Sequence, residues 1–180
     1  VGGVKAARLL TAGVAVAAVV AGGVVFAVRH SDRAPSVLAR FTDQGVTVTL
    51  KAKDRNGPRT TVEATFVPQR PGFHLYSVDL PADGVGGVGR PTKVTAQGAL
   101  RATGTLTAEA GPLMMPLTGT DLTLSVYPDG PVTTDLLVDN AGSGAATLLV
   151  SYAACSPTAC LPPVTDHRVD LQVTASGVTS

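Results

Sequence analysis

From residue 46 onward the chain alternates. "VTVTLKAK" (46–53) puts apolar and polar side chains on opposite faces with period two, as a half-buried strand does. "DRNGP" interrupts the pattern and "TTVEATFV" (60–67) resumes it. Asn56-Gly57 marks a turn that Pro58 lengthens beyond a two-residue hairpin. After "PQRPG" comes "FHLYSVDL" (73–80), and the pattern returns in "TKVTAQ", "ATGTLTAE", "DLTLSVYP", "TTDLLVDN", "AATLLVSYAA" and "DHRVDLQVTA". Gly, Pro, Asp or Asn stands in nearly every gap, and no segment of the body carries a helical period. Regular short strands with frequent breakers predict an all-β fold, an immunoglobulin-like antiparallel β-sandwich, with a small barrel as the alternative.

The first part of the chain is different. Residues 9–28, "LLTAGVAVAAVVAGGVVFAV", form an uncharged run of twenty residues. A helix of that length roughly matches a hydrocarbon core of about 30 Å. The run reads as a transmembrane anchor or as the apolar region of a signal peptide, with "VFA" (25–27) as the small-residue cleavage site. The predicted organisation is a tail (1–8), this helix (9–28), a polar linker (29–45) and one domain (46–180). Both readings of the helix put the domain on the extracytoplasmic side of a cell membrane, single-pass if uncleaved and secreted if cleaved.

Composition supports a β-rich body. Tryptophan is absent, charged residues are 15%, and glycine and proline number 20 and 13. The formal charge of +1 is unevenly placed. Lys5, Arg8, Arg29 and Arg33 against Asp32 give the first 33 residues +3, while ten basic and twelve acidic groups leave the rest at −2. That excludes nucleic acid as an electrostatic partner of the body.

Few motifs carry chemistry. "DGVGGVG" (83–89) resembles a phosphate-binding glycine loop, but Pro91 and a strand follow it instead of a helix, so it reads as a mobile loop. His30, His74 and His167 are scattered and no zinc spacing is present, so no metal ligand is assigned. Met114-Met115 leaves a copper carrier as a lesser alternative. No nucleophile motif such as G-x-S-x-G occurs.

Cys155 and Cys160, the two cysteines of the chain, stand in "SYAACSPTACLPP" (151–163) between two predicted strands. An extracytoplasmic location permits a disulfide. A bridge closing about six residues restricts the unfolded chain by only about 2 kcal/mol, against about 4.7 for a hundred-residue loop. A weak staple that is exposed makes a reducible couple. The residues themselves leave a structural bridge and a redox couple both open.

The same stretch resembles the signature of the N-terminal domain of the thiol:disulfide interchange protein DsbD, through Tyr152, Cys155, Cys160, Leu161, Pro162 and Pro163. "RPGFHLYSVDLP" (70–81) matches a second family segment, and the glycine-rich "DGVGGVGRPTKV" follows where many members carry a Gly/Pro loop. The resemblance covers about residues 45–175. It implies a domain that passes reducing equivalents outside the cytoplasm, a component of thiol–disulfide oxidoreduction with no dissociable cofactor. By resemblance Cys160 is the attacking thiol and Cys155 its resolving partner. His74, Tyr76, Tyr152, Pro162 and Pro163 line the site, and residues 111–116 form a cap with Leu113 or Met114 as its apolar cover. The implied partners are a membrane electron carrier, here expected in a separate chain, and thioredoxin-like extracytoplasmic proteins. The rival reading is a membrane-tethered β-sandwich that binds partners and keeps a purely structural bridge.

Overall fold

The computed structural model describes residues 35–56 and 58–180. The expected helix 9–28 lies outside them. Among the described residues no helix is long and apolar enough to cross a membrane.

Fourteen strands follow one another along the described chain. They are β1 (Ser36–Asp43), β2 (Val46–Asn56), β3 (Arg59–Pro68), β4 (His74–Leu75), β5 (Lys93–Gly98), β6 (Leu100–Ala102), β7 (Thr107–Ala108), β8 (Leu113–Pro116), β9 (Thr123–Val126), β10 (Val132–Asn140), β11 (Gly144–Tyr152), β12 (Ala154–Cys155), β13 (Val164–Thr174) and β14 (Gly177–Thr179). One sheet has the order β1-β2-β3-β10-β6, with β7 also on β10. A second has the order β14-β13-β11-β5. Two small ribbons, β12-β4 and β8-β9, complete the set, and every pairing is antiparallel.

The two larger sheets share one core, which makes this the all-β sandwich that the strand pattern predicts. In β3, Thr60, Val62, Ala64 and Phe66 are buried while their neighbours are half-exposed. In β10, Val132, Thr134, Leu136 and Val138 do the same. The apolar ones meet Leu148, Val150, Tyr152, Leu171 and Val173 from the second sheet in one cluster. Phe66 and Tyr152 make an edge-to-face contact across it, with centroids 5.5 Å apart. Each such side chain contributes roughly 1.5–3 kcal/mol by leaving water. On the outer face, Lys51 and Lys53 flank Glu63 at 3.3 and 2.8 Å. The Lys53 hydrogen bond is the main cause that holds the Glu63 carboxyl below its usual range.

Several local expectations change. Ser36–Asp43, in the segment read as linker 29–45, forms edge strand β1. Leu38 is its one fully buried residue, so its apolar alternation is faint. "FHLYSVDL" is strand only at His74–Leu75 and then turns. "ATGTLTAE" splits into β6 and β7.

A second, smaller cluster sits beside the main core. It holds Tyr76, Leu80, Leu124, Val126, Ala153 and Cys155, with Val85, Val88, Met115 and Leu117 packed against it. This satellite core positions the cysteine pair.

Candidate functional site: a disulfide between one buried and one exposed cysteine

Where β11 ends, β13 carries one extra residue against it, since Val150 pairs with His167 but Tyr152 with Val164. Asp166 takes the left-handed φ of 50° that the bulge requires. Ser151 Oγ accepts the Asp166 amide at 2.9 Å. The intervening chain leaves the sheet and folds back as a hairpin.

That hairpin is built around the cysteines. The Leu161 amide donates to the Ala154 carbonyl at 2.9 Å and the Ser156 amide to the Ala159 carbonyl at 2.7 Å. Cys155 and Cys160 thus face each other at the non-hydrogen-bonded position of an antiparallel pair, where backbones come closest. Their Cα atoms are 4.0 Å apart and the side chains form a disulfide. Ser156 Oγ closes the turn by accepting the Ala159 amide at 3.1 Å. Pro162 and Pro163 have no amide hydrogen, so pairing stops just past Cys160 and resumes at Val164.

The two sulfurs stand in different surroundings. Cys155 pairs through β12 with His74 of β4 and is 4% exposed, whereas Cys160 is exposed. The Tyr76 hydroxyl donates a hydrogen bond to Cys155 Sγ at 3.1 Å. Tyr76 is 3% exposed, and burial raises its pKa above the usual phenol value, so it stays a proton donor. Its backbone is held as well. It bridges to Val126, and its carbonyl accepts the Thr92 hydroxyl at 2.7 Å.

A groove of about 230 Å³ opens over the pair. It is lined by Tyr76, Ala153, Cys155, Cys160, Leu161, Pro163 and residues 87–90. Of the residues expected at the site, the structure therefore brings Cys155, Cys160, Tyr76 and Pro163 into one groove. Pro162 is exposed beside it. His74 is buried and packs edge-on to the Tyr76 ring at 6.3 Å, with Nδ1 3.3 Å from Asp129 Oδ1. Tyr152 points into the main core and donates to the Asp43 carbonyl at 2.9 Å. Leu113 and Met114, 54% and 67% exposed, line a neighbouring cleft with His74 and Asp129. Met115, half-buried on the same strand, lines that cleft too and also packs against the satellite core. Among the described residues no group of three His, Cys, Asp or Glu side chains is placed to hold a metal.

Residues 87–90 were not among the expected site residues. The glycine stretch, read from sequence as a mobile loop, is a closed turn. Val85 and Val88 exchange both backbone hydrogen bonds, at 2.9 and 3.1 Å, around Gly86 and Gly87 at φ 59° and 79°. Two positive φ values in a two-residue connection make this a type I′ hairpin. Arg90 ends it, and its guanidinium donates to the carbonyls of Asp83 and Gly89 at 3.1 and 2.7 Å.

No protein-family model matches the chain, and no curated protein sequence does. Solved structures do. The N-terminal periplasmic domain of ScsB from Proteus mirabilis superposes with a TM-score of 0.53 at 12% identity, over 76% of this chain and 51% of that one. The chain shares the fold of that ScsB domain. The reduced DsbD N-terminal domain of Neisseria meningitidis also matches, with a TM-score of 0.42 at 15% identity, over 65% of this chain and 78% of that one. The chain spans about half the length of the ScsB chain it matches.

Proposed function

We propose that this DsbD-like domain is an extracytoplasmic thiol–disulfide exchange module whose working couple is Cys155/Cys160. The observation that carries the reading is the asymmetry of the bridge: Cys160 is exposed on a groove, while Cys155 is buried against a hydroxyl donor. Attack by a thiolate is open at Cys160 and closed at Cys155.

In the reduced domain the Cys160 thiolate attacks one sulfur of a partner disulfide, and the partner's other sulfur leaves as a thiolate. The Cys155 thiolate then attacks Cys160 Sγ of the mixed disulfide and releases the partner's remaining thiol. Two electrons and two protons pass to the partner, and the Cys155–Cys160 bridge is restored. Re-reduction runs through the same sulfur. A donor thiolate attacks Cys160, and Cys155 leaves as a thiolate to which Tyr76 donates. The donor in this reading is a membrane electron carrier on a separate chain, and the acceptors are thioredoxin-like proteins. Residues 9–28 anchor the domain or direct its export. The ScsB neighbour is named as a periplasmic domain, which agrees with a location outside the cytoplasm.

The test is trapping. A Cys155→Ala chain, incubated with purified extracytoplasmic thioredoxin-like proteins in their oxidised form, is expected to accumulate mixed disulfides through Cys160. The wild-type reduced chain is expected to reduce the same proteins one for one. If no mixed disulfide forms and the wild-type bridge has a potential below about −300 mV, the bridge is structural and the exchange reading fails.

A further inference from the structure

Four glycines of residues 83–89 have left-handed φ: Gly84 at 76°, Gly86 at 59°, Gly87 at 79° and Gly89 at 85°. They do not serve the same purpose. A Cβ on Gly84 would lie 2.1 Å from the Val88 carbonyl oxygen, so Gly84 lets the hairpin close. Gly86 faces Leu122 Cδ1 at 2.8 Å, and Gly87 faces open space. Of the four, Gly89 alone would meet the Tyr76 ring. A Cβ there would lie 2.9 and 3.1 Å from Cε1 and Cδ1 of the Tyr76 ring, and 2.8 Å from Leu80 Cδ2.

We propose that Gly89 is a positioning residue for exchange, holding the space that lets the Tyr76 ring lie with its hydroxyl on Cys155 Sγ. This rests on the exchange reading above. Carbon atoms pack at about 3.5–4.0 Å, so a methyl at Gly89 must push the Tyr76 ring by more than half an ångström. The ring has little room to yield without losing its place. It is buried in the satellite core, its main chain is tied to Val126 and Thr92, and His74 packs against it. The displacement is therefore passed to the hydroxyl on the same rigid ring, and the 3.1 Å bond to sulfur lengthens. The step affected is defined. An external thiolate bonds to Cys160 Sγ, the S–S bond breaks, and its electron pair goes to Cys155 Sγ, where the Tyr76 O–H stabilises the leaving thiolate. Gly89 carries no reacting group and acts through Tyr76.

The glycines supply an internal control. Gly119→Ala, at φ 82° in open space and outside the groove, and Gly89→Ala both put a side chain at a left-handed φ and bear a similar backbone penalty, but only the second meets the ring. The experiment measures the second-order rate of dithiothreitol reduction of the oxidised full chain from pH 6 to 9, corrected for the fraction of attacking thiolate. Gly89→Ala and Tyr76→Phe are each expected to slow reduction by about three- to tenfold. Gly119→Ala stays within about twofold of wild type, and Gly89→Ala/Tyr76→Phe is no slower than Tyr76→Phe alone. The inference is overturned if Gly89→Ala reacts at the wild-type rate, if Gly119→Ala is slowed equally, or if the double variant multiplies the two effects. Should Gly89→Ala not fold, the same comparison is made in a Leu80→Ala background, which removes the 2.8 Å clash and leaves the one with Tyr76. Dithiothreitol needs no protein partner, so failure to trap thioredoxin-like proteins and failure of this test are separate results.

Discussion

Replacing Tyr76 by phenylalanine removes one oxygen and keeps the ring that fills the satellite core. In the folded, oxidised chain that oxygen donates to a neutral disulfide sulfur, a weak acceptor. Its loss costs less than about 1 kcal/mol of stability. When a thiolate attacks Cys160, the acceptor becomes the departing Cys155 thiolate. A hydrogen bond to a charged group contributes about 1.5–3 kcal/mol. With roughly half of the charge developed in the transition state, the barrier rises by about 0.7–1.5 kcal/mol. At about 1.36 kcal/mol per decade, reduction slows by about three- to tenfold. The assay is timed dithiothreitol reduction with acid quench and thiol alkylation, beside urea unfolding of the same protein. Because burial raises the Tyr76 pKa, the hydroxyl remains protonated across pH 6–9, and the slowing is expected to be constant over that range once thiolate fraction is corrected. A variant reduced within twofold of wild type refutes the assignment of Tyr76 to the leaving sulfur. So does a slowing matched by loss of the folded state.

Other consequences can be measured on the same protein. Reducing the bridge, or replacing both cysteines by alanine, is expected to lower stability by only about 2 kcal/mol in urea unfolding, because the loop is short; loss of folding would show the bridge to be a main staple. Leu148→Ala, in the centre of the shared core, should cost about 2–5 kcal/mol. Tyr152→Phe loses the bond to the Asp43 carbonyl, and a drop of about 0.5–1.5 kcal/mol is expected with no change in the reduction rate; a slowed reduction would give Tyr152 a part in the chemistry. Glu63 is held below its ordinary pKa chiefly by the Lys53 hydrogen bond, so its contribution is present above the unfolded carboxyl pKa and lost as pH falls through the folded one. Glu63→Gln should thus be less stable than wild type near neutral pH, by under about 1 kcal/mol since the pair is part-exposed, and equal to it in strong acid.

Much of this was legible along the chain. Strands β2, β3, β10 and β13 announce themselves by two-residue alternation, because one face of each is packed against the other sheet and the other is wet. β1 does not, since an edge strand with one fully buried residue leaves only a faint pattern. Two tyrosines of the family-like segments also read alike in sequence. Tyr152, at the end of β11, belongs to the main core, whereas Tyr76, just past the ribbon strand β4, belongs to the satellite core at the disulfide.

Sequence alone determined that the body is an antiparallel β fold and that its only two cysteines lie one tight turn apart, because periodicity and local spacing are properties of neighbouring residues. Only the tertiary structure decided that the two sulfurs are unlike. Cys155 is buried because β12 pairs with a strand some eighty positions earlier, and that pairing also delivers the Tyr76 hydroxyl. The glycine hairpin becomes the wall of the groove for the same reason. Contacts between residues far apart in the chain depend on register and packing, and no local pattern records them.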